Sequence, residues 1–182
     1  MGANVRDILL DRAFDQYGFV TSDDARSLGI DEKRLVDMER RGTLERVARG
    51  VYRFKLIPHT GRERLMEAVL WPRRTRGTLS HDTALELHDL CDINPTKVHI
   101  TVPRAYRINR EIPPTYTIHH RDLADADRTL VEGLPTVTPA RSIHDAIATH
   151  VDPKLIDQAI DTARRRGILR GEALTHLEDP AR

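Results

Sequence analysis

A single cysteine, Cys91, stands in the chain, so no internal disulfide can form and no multi-cysteine zinc site can be built. Aromatics are scarce: three Phe, four Tyr and one Trp are too few for a protein that stacks successive bases of a single strand on ring after ring. Long apolar runs are missing. The longest, such as Ile8-Leu9-Leu10 and Ala68-Val69-Leu70-Trp71, fall far short of the roughly 20 residues that a membrane-crossing helix needs. Met1 to Asp11 lacks a basic start followed by an apolar core, so no signal peptide is expected. Neither sign of charge is in excess, with Lys+Arg 29 against Asp+Glu 28, which excludes a chain that coats nucleic acid over its whole surface. What is there is 182 residues, 39% hydrophobic and 31% charged, a soluble composition for one domain or two small ones. With so little cysteine, a reducing cytoplasm is the expected compartment, and no membrane partner is expected.

The pattern along the chain changes period once near the start. Asn4 to Tyr17 spaces Val5, Ile8, Leu9, Ala13 and Phe14 as a helix does, and Gly18 stops it. Thr21-Ser22-Asp23-Asp24 supplies an N-cap and first-turn carboxylates to a short second helix that ends at Leu28-Gly29. Asp31 caps a third helix, with Leu35 and Met38 inward and Gly42 at its end. Two strand-like runs follow, Leu44–Val47 and Val51–Phe54, joined by Ala48-Arg49-Gly50 as a hairpin. Helix, short helix, helix and hairpin in this order predict a winged helix-turn-helix. The loop Lys55–Gly61, with Pro58, marks the expected boundary.

Beyond it, Glu63–Trp71 reads as a helix stopped by Pro72, and Arg73–Gly77 as a basic linker. Ser80 is expected to cap a helix to about Leu90. Val98–Val102 and Tyr116–His119 read as strands. Thr138-Pro139 opens a helix to about His150, and Asp152-Pro153 opens one through Arg166. A last short helix is expected over Gly171–Leu177. The expected class is thus α+β: a winged helix-turn-helix over residues 1–58, then a mainly helical domain with a small β-sheet over 62–182.

Charge is concentrated where the pattern is most distinctive. From Arg40 to Lys55 there are six cations (Arg40, Arg41, Arg46, Arg49, Arg53, Lys55) and one acid, Glu45, in a chain whose formal net charge is +1. On the third helix Lys33, Arg34, Asp37, Arg40 and Arg41 lie opposite the Leu35/Met38 stripe. A helix placed so in a helix-turn-helix reads base edges in the major groove, where Arg and Lys suit guanine and Asp suits cytosine. Arg46, Arg49 and Arg53 on the hairpin fall where a wing meets phosphate or the minor groove. Thr21 and Ser22 at a helix start could add a phosphate contact. The competing explanation, arginines kept for solubility, does not account for their coincidence with this order of elements.

Tyr17-Gly-Phe-Val-Thr21, Ala25-Arg-Ser-Leu-Gly29-Ile30 and Gly42-Thr-Leu-Glu-Arg46-Val-Ala-Arg49-Gly50-Val-Tyr52-Arg53 resemble the N-terminal domain of AbiEi-type antitoxins. Leu79-Ser80-His81-Asp-Thr-Ala84-Leu85-Glu-Leu-His88, Val98–Pro103 and Val137-Thr138-Pro139-Ala140-Arg141-Ser-Ile-His-Asp145 resemble that family's later motifs. The resemblance spans about residues 13 to 160. It implies a transcriptional repressor that binds double-stranded operator DNA at its own promoter. It also implies an antitoxin that counters a nucleotidyltransferase-like toxin, with Ser80, His81, His88, Thr138, Arg141 and Asp145 as the second domain's motif residues. A different reading stays open beside it: a protein-interaction module that neutralises a toxin by direct binding, with DNA contact incidental.

Enzymatic readings find little support. The nine histidines form no zincin pattern, so no metal site and no cofactor is expected. Ser80-His81-Asp82 holds the residue types of a hydrolase triad, but neighbours on a helix splay about 100° apart and cannot form its hydrogen-bond chain. Ser80 is better read as a cap, and Arg141 and Asp145 as an i, i+4 surface pair. The glycines form no Walker or dinucleotide fingerprint. No enzyme is expected.

Overall fold

A computed structural model describes residues 4–169. Among them the chain is mixed α+β, with seven α-helices and two sheets. It divides into two compact units, Met1–Arg76 and Gly77–Arg182. The helix expected over Gly171–Leu177 lies outside the described residues, and no described helix is long and apolar enough to cross a membrane.

The first unit runs α1 (Val5–Phe14), β1 (Phe19–Thr21), α2 (Ser22–Ser27), α3 (Lys33–Arg40), β2 (Leu44–Ala48), β3 (Val51–Phe54) and α4 (Glu63–Leu70). Asn4 caps α1 by accepting from the Arg6 N–H. Thr21 and Asp24 form a reciprocal capping box on α2. Leu9, Ala13, Val20, Ala25, Ile30, Leu35, Leu44, Tyr52 and Phe54 are drawn from every element up to β3 into one buried cluster. Strand β3 is central in an antiparallel sheet of order β1-β3-β2. The hairpin is tighter than expected. Ala48 pairs with Val51, so only Arg49-Gly50 turns the chain, Gly50 in the left-handed region at φ +75°, and a bulge between Arg46 and Ala48 absorbs the extra residue.

The expected boundary at 58–62 falls inside this unit. Helix α4 packs on β1. Arg76 donates to Gln16 Oε1 and, at 2.9 Å, to Asp24 Oδ1, while the Arg74 N–H donates to Asp23 at 2.9 Å. Asp24 is buried and its carboxylate needs cationic partners, so the segment 63–76 stays with the unit that holds it.

The second unit holds β4 (Thr78–Leu79), α5 (His81–Leu87), β5 (Val98–Val102), β6 (Tyr116–His120), β7 (Arg128–Val131), β8 (Leu134–Val137), α6 (Pro139–Ala148) and α7 (Pro153–Arg165). Its sheet is larger than the two expected strands: five strands in the order β6-β5-β4-β8-β7. β5 pairs parallel with β6 and antiparallel with β4, and β4 pairs parallel with β8. Leu85, Leu90, Ile143, Ala146, Ala159, Ile160 and Ala163 pack α5, α6 and α7 together.

Candidate nucleic-acid interface

Helix α3 is amphipathic in the expected sense. Leu35 is fully buried, whereas Lys33, Arg34, Val36, Arg40 and Arg41 are exposed and Asp37 is half-buried. Arg46 on β2 and Arg49 in the turn are exposed as well. Among the described residues none of Lys33, Arg34, Arg40, Arg41, Arg46 and Arg49 has a carboxylate within ion-pair distance. Several other arginines of the unit do: Arg12 and Arg76 reach Asp24, and Arg26 reaches Asp23 and Glu32. Among the described residues, no ion pair therefore offsets the exposed cations of α3 and the β2–β3 turn.

Three sequence candidates leave this surface. Arg53 is 3% exposed. It sits on the central strand, and its guanidinium donates to the carbonyls of Ile57 at 2.6 Å and Pro58 at 3.2 Å, which fold over it. Thr21 is buried because it caps: its hydroxyl donates to Asp24 Oδ2 at 2.7 Å and accepts from the Asp24 N–H at 3.0 Å. Ser22 is buried beside it, its N–H donating to the Gly50 carbonyl.

In the second unit the fold gathers Ser80, His81, Arg141 and Asp145. Asp145 is 1% exposed and accepts from Arg141 Nε and from Arg121, both at 3.0 Å. The expected surface pair is thus a buried one. Ser80 occupies the N-cap position of α5 without capping it. Its hydroxyl meets His81 Nδ1 at 2.9 Å and accepts from Thr101 Oγ1 at 2.8 Å. His81 Nδ1 also faces Asp145 Oδ2 at 3.9 Å. Serine and carboxylate thus lie on the same ring nitrogen, whereas nucleophilic catalysis needs them on opposite ones. The other two motif residues serve elsewhere. Thr138 caps α6, and His88 Nε2 donates to the Val137 carbonyl at 2.7 Å.

Sequence reasoning missed His99, Thr101, His119 and Arg121. Parallel pairing sets His99 opposite Thr117 and Thr101 opposite His119, so all four share one face of the β5–β6 pair. The His119 ring stacks on His81, centroids 3.5 Å apart. Burial and the neighbouring imidazoles pull His81 down to about 3 and His119 to about 4, and burial lowers His99, so all three are neutral at pH 7. The signal was present: His-x-Thr in one strand and Thr-x-His in the next.

Residues 7–55 match the family model described as "Transcriptional regulator, AbiEi antitoxin". The match runs from within α1 to the residue after β3, the stretch that carries the six uncompensated cations. No curated protein matches the chain.

Proposed function

We propose that this chain, whose residues 7–55 carry the AbiEi antitoxin regulator family's model, is a sequence-specific repressor of that type. It binds double-stranded operator DNA through a winged helix-turn-helix formed by α1, α2, α3 and the β2–β3 hairpin. Helix α3 enters the major groove. Arg34, Arg40, Arg41 and Lys33 reach guanine edges or phosphate, and exposed Val36 meets thymine methyls. Arg46 and Arg49, on the hairpin, hold the backbone and set register rather than sequence. Repression follows by occlusion of the operator.

The observation that carries this reading is the set of six exposed cations without carboxylate partners on α3 and the β2–β3 hairpin. The second unit, where Ser80, His81, Arg141 and Asp145 converge, takes the antitoxin part: it counters a nucleotidyltransferase-like toxin encoded in the same operon. Fluorescence anisotropy with the duplex upstream of the chain's own reading frame, against a scrambled duplex of equal length, tests the proposal. Preference for the upstream duplex by at least about a thousandfold at physiological salt is expected. Equal affinity for both, or none for either, would overturn it.

A further inference from the structure

His81, His99 and His119 come from three separate elements: the first turn of α5, β5 and β6. One ring nitrogen of each lies within 4.8 Å of the others. His119 Nε2 and His99 Nδ1 stand 3.3 Å apart. Two imidazole nitrogens bound at about 2.0–2.1 Å to one tetrahedral ion are separated by about 3.3–3.4 Å, so this pair already forms one edge of such a tetrahedron. His81, whose ring stacks on His119, supplies a third corner once it turns so that an in-plane nitrogen lone pair meets the ion. Its Nδ1 is engaged by Ser80 Oγ and faces Asp145, which leaves Nε2 as its remaining donor. One ring nitrogen held by a protein oxygen and the other left over is the arrangement that orients metal-binding histidines. His81 holds this place with its backbone in the left-handed region, at φ +51°. His99 and His119 are half-buried, so the cluster is reachable from solvent.

We propose that His81, His99 and His119 form a three-imidazole site for a divalent first-row transition ion of the zinc class, with a fourth position open to solvent. The donor set decides the class. Imidazole nitrogens without thiolate suit Zn²⁺, Co²⁺, Ni²⁺ and Cu²⁺, while Mg²⁺ and Ca²⁺ require oxygen ligands. The carboxylate of Asp145 is already held by Arg121 and Arg141, so it is not offered to the ion. The ion ties the start of α5 to β5 and β6. The site lies within the second unit and is independent of the DNA-binding proposal.

The test uses the full chain, without an affinity tag and stripped by chelator. Zn²⁺ is titrated by calorimetry and Co²⁺ by visible absorption. One ion per chain at about micromolar affinity or tighter is expected, with the intense Co²⁺ bands of a low coordination number. His99→Asn and His119→Gln should each weaken Zn²⁺ binding by at least about tenfold. His120→Ala should leave it unchanged, because the exposed His120 points to the other face of β6. Failure to bind, or binding that survives both His99→Asn and His119→Gln, would overturn the site. Circular dichroism in chelator checks that the variants fold. If neither folds, the wild-type Co²⁺ spectrum decides: the weak spectrum of the hydrated ion would refute the proposal, and the intense one would sustain it.

Discussion

Arg53 and Arg49 stand four residues apart on one hairpin and do opposite things. The Arg53 guanidinium is roofed by the Ile57 and Pro58 carbonyls, so replacing it removes buried, charge-assisted hydrogen bonds. Arg53→Met should lower unfolding free energy by about 1–3 kcal/mol. Urea denaturation reads this, and an unshifted midpoint would show that the buried bonds contribute nothing. Arg49→Ala removes an exposed cation and should leave the midpoint in place. Their difference could not be read from Val51-Tyr52-Arg53-Phe54, where alternation offers Arg53 an outward face. That face is covered by the loop returning from β3, a tertiary event with no local signature. His88 offers a pH test. Burial holds it below its ordinary 6.5. Between that lowered value and 6.5 the unfolded chain binds a proton that the folded chain does not, so stability falls as pH drops below about 6.5. His88→Gln should lose less stability than the parent between about pH 7.5 and 5.5. Equal losses in the two proteins would contradict the assignment.

Short elements were the ones the sequence concealed. The first three helices and the hairpin were legible because the chain carries its own punctuation there: Asn4 and Thr21 as caps, Gly18, Gly29 and Gly42 as stops. Strand β1, only Phe19–Thr21 and buried throughout, has no room to show alternation. The β7–β8 hairpin was hidden by Pro135, which argues against a strand with neighbours on both sides. β8 tolerates it because β4 pairs there only through Leu79 and Thr136. The overlooked signal was Glu132-Gly133, both left-handed at φ 50° and 78°, as a tight two-residue turn requires. Thr21, assigned to phosphate, instead shares with Asp24 the start of α2. Asp24 accepts from Thr21, Gln16 and Arg76 at once. Asp24→Ala should therefore destabilise the first unit by about 2 kcal/mol or more, and Thr21→Ala by about 1 kcal/mol. Denaturant unfolding with equal midpoints for the two variants would show that the carboxylate is no more than a helix cap.

Across the whole chain, Lys+Arg and Asp+Glu nearly cancel, yet cancellation is uneven. Acids neutralise Arg12, Arg26 and Arg76 in the first unit and Arg121 and Arg141 in the second, while α3 and the β2–β3 hairpin are left bare. Composition could give the local excess but not its pairing, because Asp24 meets Arg76 across 52 residues of sequence. The second unit's polar centre was half legible for the same reason: Ser80, His81, Arg141 and Asp145 were singled out, but their meeting with His99 and His119 depends on the β5–β6 register. The central claim is that the bare ridge binds a duplex. Its most direct test is the salt dependence of affinity for the upstream duplex, measured for the parent chain, Arg40→Ala/Arg41→Ala and Arg49→Ala. The double variant should bind at least about tenfold more weakly at fixed salt. Arg49→Ala should make the log–log salt slope shallower by about one. Parent-like affinity and slope in both variants would contradict it.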